Sequence, residues 1–409
     1  MPFLPYKLTD AVSDLAAPGQ PTWQDQGISI IGGYGPWATE LVENPPALSY
    51  RSSRWNDLDP WRSAALDKTR ELIAPPTNGQ HTPEVTVKAS YDFDGLSIEE
   101  LQWQLPFGPP TEAVLLKPQG VRDPLPAVLG LHDHGGQKYF GKRKITRTST
   151  DQHPTMVEHQ KQSYTGRAWA NELAKKGYVV LVHDTFTFGS RRVRYEDIAG
   201  ITWGACKVDG LSDEHPEDPE NIKIYNQWAA EHEHIMAKSL FCGGTTWPGV
   251  TLVDDQVALN ILCQREDVDA QSVGCCGLSG GGLRTDYLAG LDHRIKCAVS
   301  VGFMSTWKDF LMNKSYTHTW MTYVPLLPQF LDFPEVLGLR VPLATMVMND
   351  NEDQLYTLPE MKRAHEILQE VYAKAGAADR YQGRFYPGGH KFDAQMQEEA
   401  FDWFDRWLT

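Results

Sequence analysis

The sequence predicts an α/β fold in which a mostly parallel sheet carries helices on both faces. Short apolar runs typical of strands recur along the chain, and helical patterns separate the later ones. Buried strands that alternate with helices indicate a parallel sheet. Three β-like runs in close succession, "EVTVKASYDF", "LSIEELQWQLP" and "TEAVLLKP", come before this alternation and indicate an antiparallel lead-in.

Residues 1–83 are rich in Pro and Trp and are predicted to form an extension that packs on the main domain. One helix is expected there, with Asp59 as its N-cap and Pro60 at its first position. Its apolar face would contain Trp61, Ala65, Leu72 and Ile73. A long extension can also serve as a dimer arm, which leaves a homo-oligomer open.

Residues 84–409 are predicted to form the catalytic domain. After the lead-in, strands are expected at "PAVLGLH", "YVVLVHD", "SVGCCGL", "KCAVSVGF", "VPLATMVMND" and "RYQGRFYPG". The interval from about 186 to 248 breaks the alternation, and the stretch from about 141 to 162 is a candidate to join it. Long loops at the carboxyl edge of such a sheet carry function, so the interval is interpreted as a lid-like insertion.

The net charge of the chain limits the kinds of molecule that it is expected to bind. With 53 acidic and 38 basic side chains the formal net charge is −15, which disfavours binding to nucleic acid or to anionic membrane surfaces. No apolar stretch is long enough to span a bilayer. The first twenty residues show neither a basic start nor an apolar core of a secretory signal, so a cytoplasmic location is expected.

The stretch "GCCGLSGGG" contains a G-x-S-x-G motif centred on Ser279, between a strand-like run and a helical pattern. A nucleophilic serine requires this context, because it lies on a tight, strained turn from strand to helix. Gly277 and Gly281 would let the strand and the helix come close. The amide of Gly280 would lie at a helix N-terminus, where a developing oxyanion is stabilised.

A serine nucleophile needs a base and a carboxylate that orients it. His390 lies in "FYPGGHKFD", between a strand-like run and the last helix. "MNDNEDQLY" supplies the acid, and we favour Asp353, because Asp350 falls in the predicted turn after the strand. The loop "HDHGGQ" is expected to supply the second oxyanion donor, with the amide of Gly136 as the first choice and Gln137 next.

With these elements in this order, the sequence resembles the α/β-hydrolase superfamily, in particular its dienelactone-hydrolase-like and acetyl-xylan-esterase-like branch. The resemblance covers roughly residues 84–409 and rests on "HDHGG", "HDTFTFGSRR", "DVDAQSVGCCGLSGGG", "NDNEDQLY" and "GGHKF". It implies an eight-stranded, mostly parallel sheet and acyl transfer that requires no metal or cofactor. It also implies a carboxylic ester as substrate, either a small molecule or a glycosidic ester.

The sequence points less clearly to residues that contact the substrate than to the candidate catalytic residues. Arg191 in "FGSRR" can contact a substrate carboxylate or a sugar hydroxyl, although a structural ion pair is the favoured role for it. Gln137 and Trp307 are further candidates. Aromatic residues of the extension, the insertion and the segment after the "KCAVSVGF" strand can line a pocket for a bulky acyl or glycosidic group or belong to the core: Trp37, Trp203, Tyr225, Trp228, Trp247, Trp307, Trp320 and Tyr323.

Three alternatives stay open at this point. The ester can be a carbohydrate acetate or a lactone. The histidines of "HDH" at 132–134 and "HD" at 183–184 allow a metallohydrolase to be considered, although neither H-E-x-x-H nor H-x-H-x-D-H is present. A non-catalytic binding protein can also retain a hydrolase fold.

Overall fold

A nine-stranded sheet forms the centre of the protein, whose computed structural model describes residues 29–79 and 81–409. The strands in chain order are β1 (Val85–Phe93), β2 (Leu96–Trp103), β3 (Thr111–Pro118), β4 (Leu125–Leu131), β5 (Val179–His183), β6 (Val268–Leu278), β7 (Ile295–Val301), β8 (Ala344–Asp350) and β9 (Tyr381–Tyr386). Their order across the sheet is β1-β2-β3-β5-β4-β6-β7-β8-β9. The pairs among β1, β2, β3 and β5 are antiparallel, whereas β4 to β9 pair in parallel. The predicted fold class is therefore confirmed.

The helices that cover the sheet and the extension are α1 (Tyr34–Thr39), α2 (Leu58–Ile73), α3 (Pro154–Tyr164), α4 (Trp169–Lys175), α5 (Tyr195–Ile198), α6 (Pro219–Glu231), α7 (Glu233–Cys242), α8 (Trp247–Cys263), α9 (Gly280–Leu291), α10 (Trp307–Asp309), α11 (Phe333–Gly338), α12 (Leu358–Lys374) and α13 (Ala394–Leu408). No helix in the described ranges combines the length and the apolar character that crossing a membrane requires.

The sheet has one strand more than the eight that the resemblance implied. The extra strand is β1, which pairs with β2 and lies at the edge of the sheet as the structure describes it. The two strands are joined by Asp94 and Gly95, both with positive φ, which is the tight turn that matches the twist of a hairpin. Every residue of β1 is exposed or only partly buried, and its contact with the two cores is limited to the partly buried side chains of Val85, Tyr91 and Phe93.

Successive residues of the parallel strands face opposite layers of helices. Cys275 of β6 belongs to one core, together with residues of α8 and α9, whereas Cys276 belongs to a second core with residues of α4 and α13. The side-chain period of two explains why these strands are apolar throughout, since both faces are buried. Helices on both faces leave the carboxyl edge of the parallel strands for the loops that carry the candidate site.

The described part of the extension packs on the first of these cores through the Trp61 and Ile73 side chains of α2. The indole nitrogen of Trp61 donates a hydrogen bond to the carbonyl of Leu48, at 2.6 Å. The helix begins at Leu58 with Asp57 at the N-cap, two residues earlier than expected from Asp59. Pro60 is tolerated there, because amides of the first turn have no partner within the helix. The extension before residue 29 lies outside the described residues.

Candidate active site

Ser279 lies on a strained turn between β6 and α9, with φ 57° and ψ −119°. Its amide donates to the carbonyl of Val301, at 2.8 Å, and this bond anchors the turn to the end of β7. A Cβ added at Gly277 would lie 2.6 Å from the Cα of Gly281, and a Cβ at Gly281 would collide with the carbonyl of Leu131. The glycines of the motif are therefore required by close approach, as the sequence predicted.

His390 and Asp353 meet at the same edge of the sheet. The Nδ1 of His390 donates to Oδ2 of Asp353, at 2.6 Å, and the other carboxylate oxygen accepts from the amide of Leu355, at 2.9 Å. A Cβ at Gly302 would lie 3.0 Å from Cε1 of His390. Because Gly302 follows Val301, the anchor of Ser279, the serine and the histidine lie against the same turn. Within the described part of the chain, His390 has a hydrogen bond to Asp353 but none to Ser279.

Asp350 is next to this pair but has a different partner. It is the last residue of β8, which continues two residues beyond the predicted end at Met348. Its Oδ2 accepts from the amide of Lys391, at 3.1 Å. The geometry therefore brings Asp353, and not Asp350, to the imidazole, as the sequence analysis favoured.

The pKa values of Asp350 and His390 are both raised, for different reasons. Burial raises the pKa of Asp350 to about 7, against which the Lys391 amide and ammonium act. The pKa of His390 is raised above its usual value: burial opposes this, but the hydrogen bond to Asp353 and the charge of that carboxylate outweigh it. An imidazole held in this way has its Nδ1 proton fixed on the Asp353 side and its Nε2 free to accept a proton.

The loop after β4 lies beside Ser279. A Cβ at Gly280 would lie 2.8 Å from the amide nitrogen of His134. Neither the amide of His134 nor that of Gly280 donates a hydrogen bond within residues 29–79 and 81–409. The amide of Gly136, in contrast, donates to Nδ1 of His134, at 3.1 Å. The first choice of the sequence analysis, Gly136, thus has another partner, and His134 has the amide closest to Gly280.

The insertion contacts the same loop through Glu233, the first residue of α7. Its Oε1 accepts from Nε2 of His134 and from Nζ of Lys138, each at 2.6 Å. Its Oε2 accepts from the hydroxyl of Thr319, at 2.7 Å, and from the amide of Trp320, at 3.1 Å. Burial alone would raise the pKa of Glu233, but the charge of Lys138 and the bond from His134 hold it well below its usual range. Sequence analysis did not identify Glu233, because a glutamate in "AEHEHIM" is typical of a solvated helix face.

Arg191, a possible substrate contact in the sequence analysis, forms the structural ion pair that was favoured over that role. Its side chain is buried and pairs with Asp254, at 3.1 Å, while it donates to the carbonyls of Phe107 and Pro109. A guanidinium with these partners has a structural role, because the charge is paired with Asp254 and both terminal nitrogens bond to protein oxygens.

The other two candidate substrate contacts also have protein partners. Gln137 is partly buried, and its side-chain oxygen accepts from the amide group of Asn226 in the insertion. The indole of Trp307 donates to the carbonyl of Leu331, at 3.1 Å, and its ring packs edge to face on Phe333. Trp307 also lines a cavity of about 730 Å³ together with residues of the extension.

A cluster of aromatic side chains lies next to Asp353 and His390. The hydroxyl of Tyr356 donates to the carbonyl of Gly302, at 3.1 Å. The ring of His318 packs on those of Tyr356 and Phe303. Burial lowers the pKa of His318 to about 4, so this ring is neutral near pH 7. These apolar surroundings limit the access of water to the Asp353 carboxylate and strengthen its hydrogen bond to His390.

The metallohydrolase alternative has no ligand set in the described part of the chain. No group of three or more His, Cys, Asp or Glu side chains is placed there to hold a metal ion. The histidines that suggested it have other roles: Nε2 of His183 bonds Asp255, at 2.9 Å, and His134 bonds Glu233.

Comparisons with known proteins agree with this architecture. A scan against protein-family profiles finds no match. Among curated proteins, the chain is 27% identical over 299 residues to "Putative hydrolase YtaP" of Bacillus subtilis, which covers 72% of this chain and 83% of that protein.

The similarity to solved structures covers more of the chain. One is described as a "putative acetyl xylan esterase" from Bacteroides fragilis, with a TM-score of 0.61, 15% identity and coverage of 87% of this chain and 83% of that one. Another is a glucuronoyl esterase from Solibacter usitatus, with a TM-score of 0.57, 13% identity and coverage of 88% and 96%. At these identities the likeness establishes the fold. The mostly parallel sheet, the helices on both its faces and these structural neighbours together identify the protein as having the α/β-hydrolase fold.

Proposed function

We propose that the protein is a serine-dependent carboxylic-ester hydrolase with Ser279, His390 and Asp353 as its catalytic triad. The observation that carries the proposal is the 2.6 Å bond between His390 and Asp353, at the turn that also anchors the strained Ser279. Ser279 combines its positive φ with a ψ of −119°, which lies outside the left-handed region that turns and helix caps use, and backbone strain of this kind is concentrated at functional sites. The likeness to "Putative hydrolase YtaP" supports the same class of enzyme.

The proposed reaction has two steps. His390 removes the proton of Ser279, whose oxygen attacks the ester carbonyl, and the imidazolium then gives that proton to the leaving alcohol. Water attacks the acyl-enzyme in the second step with the same help from His390. Asp353 holds the imidazole in the tautomer that has its lone pair on Nε2 and stabilises the imidazolium. The Ser279–His390 hydrogen bond would form with substrate bound, since such bonds are often long or absent in free enzymes.

The oxyanion would be held by two backbone amides, those of Gly280 and His134. Neither donates to another group among the residues that the structure describes, and the two lie close together beside Ser279. Gly280 also begins α9, whose N-terminus favours negative charge. In this proposal the amide of His134 takes the role that the sequence analysis gave to Gly136.

The class of ester is proposed from the structural neighbours. A structure described as a "putative acetyl xylan esterase" and a glucuronoyl esterase share the fold, so acetylated sugars and esters of sugar acids are the first substrates to test. A lactone is the further candidate that the sequence left open.

A panel of esters tests this function. The purified protein is assayed with p-nitrophenyl acetate and longer acyl esters, an acetylated xylo-oligosaccharide, a methyl glucuronate and a lactone, each scored by kcat/KM. Ser279→Ala is the control for contaminating activity, and dialysis against a chelator checks for a metal requirement. We expect hydrolysis that depends on Ser279 and survives dialysis. Absence of hydrolysis across the panel would favour the non-catalytic alternative, and loss on dialysis would favour a metalloenzyme.

A further inference from the structure

Lys144 is a buried cation directly behind the loop that carries the His134 amide. It ends a 3-10 turn, Lys142–Lys144, and its side chain is fully buried. Its Nζ donates to the carbonyl of Asp133, at 2.7 Å, and to the carbonyl of His134, at 2.8 Å. Two consecutive carbonyls of one loop thus bind to a single ammonium group.

These bonds determine where two amides point. The carbonyl of Asp133 and the N–H of His134 belong to one planar trans peptide, so they point in opposite directions. When Lys144 holds the carbonyl, the N–H of His134 must face the opposite side of the loop, where Gly280 lies. The second bond has the same effect on the next peptide, which ends in the N–H of Gly135.

The Asp133 side chain gives the loop a second attachment. Its Oδ2 accepts from Nε2 of His159, at 3.1 Å, and from the hydroxyl of Tyr164, at 2.5 Å, both on α3. Burial alone would raise the pKa of Asp133, but the charges of His159 and Lys144 hold it well below its usual range. The carboxylate therefore compensates the ammonium of Lys144, which lies 3.8 Å from its Oδ1.

Keeping a buried lysine in its charged form costs free energy. In addition to the carboxylate that compensates its charge, Lys144 has two carbonyls and an aromatic ring around its ammonium. Burial lowers the pKa of Lys144 to about 8, so the ammonium form still prevails at pH 7. Its ammonium also lies 4.7 Å from the centre of the Phe188 ring. A methionine would fill the same volume without this cost, so a role beyond packing is indicated.

We propose that Lys144 is a positioning residue that preorganises the oxyanion site by holding the Asp133 and His134 carbonyls. The inference rests on the proposed esterase function. It predicts a defect confined to the transition state, because a substrate carbonyl needs the His134 amide most when it becomes an oxyanion.

The test compares Lys144→Met with Lys142→Met, a matched control in the same turn. Lys142 is also a cation with a largely buried side chain. It forms ion pairs with Glu112 and Asp184, at 2.8 and 2.9 Å, and its ammonium does not bond to the loop after β4. For Lys144→Met we expect kcat to fall about a hundredfold, as after loss of an oxyanion donor, with KM changed less than about threefold. The Ki of a trifluoromethyl ketone, which mimics the tetrahedral state, should rise by a similar factor to the fall in kcat. Lys142→Met should change neither value more than about threefold.

Lys144→Gln provides a second variant in case methionine prevents folding, which circular dichroism and a melting curve would reveal. Its amide can still donate to one carbonyl, so we expect kcat between that of wild type and about a hundredth of it. A wild-type kcat in either folded variant, or a rise in KM that accounts for the loss, would overturn the role of Lys144. Wild-type protein without esterase activity would instead overturn the proposed function.

Discussion

At the scale of single residues, Asp353 and Asp350 differ in the group with which each forms a hydrogen bond. Asp353 bonds the imidazole of His390, whereas Asp350 bonds the amide of Lys391. We expect Asp353→Asn to lower kcat by at least about a hundredfold, because an amide in that place leaves the imidazole in the wrong tautomer or orientation. Asp350→Asn should lower it by less than about tenfold. Steady-state kinetics on one ester decide this, and the reverse ranking would reassign the acid.

The pH dependence of kcat/KM follows from the raised pKa of His390. The imidazole must be neutral to act as a base, so activity should fall as pH drops through a pKa above the usual histidine value. Asp353→Asn removes the charge that raises this pKa, and the acid limb of the residual activity should move to lower pH. An unmoved limb in that variant would show that another group controls it.

Asp350 also affects stability. Its pKa is raised by burial to about 7, so the folded protein retains a proton that the unfolded chain releases near pH 4. Stability therefore falls as pH rises from about 4 to 7, and the cost is fully present above 7. We expect Asp350→Asn to increase the free energy of unfolding by roughly 1 to 3 kcal/mol at pH 8, with a much smaller gain at pH 5. Urea unfolding at both values measures this, and an equal gain at both would exclude the carboxyl group as the cause.

Single residues also show what the sequence can and cannot predict. Ser279, Asp353 and His390 follow strands in a fixed order, so local pattern identifies them. Arg191 and Gly136 are different, because their roles depend on what lies against them in space. Asp254, which pairs with Arg191, is 63 residues further along the chain, and no local pattern connects the two.

At the scale of elements, the insertion attaches to the core through Glu233. This carboxylate bonds His134 and Lys138 on one side and Thr319 and Trp320 on the other. It therefore joins the insertion, the loop after β4 and the segment after β7. The prediction that the interval from 186 to 248 covers the site and sets the size of the substrate is compatible with these contacts and stays a prediction.

Glu233→Gln tests this attachment. Removing one partner from a buried ion pair costs about 3 to 5 kcal/mol, and here the buried Lys138 would lose its anion. The cost is local to the insertion, so we expect faster proteolytic cleavage within residues 186–248, together with a lower kcat/KM for bulky esters. Glu231→Gln is the control, since Glu231 is exposed and accepts from Gln227, at 3.0 Å, on the same helix. Equal cleavage rates in wild type and both variants would contradict the attachment.

The sequence predicted the presence of the strands better than the residues at which helices and strands begin and end. All nine strand-like runs of the sequence are strands in the structure, including β1, which the resemblance to an eight-stranded fold did not imply. The ends of α2 and β8 differ by two residues from expectation, because propensity is similar on either side of a boundary and tertiary contacts decide it.

At the scale of the whole molecule, the sheet brings distant parts of the chain to one edge. Ser279 follows β6, Asp353 follows β8, His390 follows β9 and His134 follows β4. Because these four strands are parallel, their carboxyl ends meet at the same edge. The topology therefore places the residues of the candidate site at one edge, and the order of motifs along the chain was enough to predict that Ser279, Asp353 and His390 lie there. The proposed use of the His134 amide could not be predicted in this way, because it depends on contacts in space.

The central claim, that Ser279 is an activated nucleophile, is tested most directly by covalent labelling. A fluorophosphonate reacts with an activated serine and forms a stable adduct that resembles the tetrahedral intermediate. Intact mass and peptide mapping should show one adduct per chain, on the peptide containing Ser279, with loss of esterase activity in proportion to labelling. Denatured wild-type protein and Ser279→Ala should remain unlabelled. A folded, active protein that is not labelled at Ser279, or is labelled at another residue, would contradict the account.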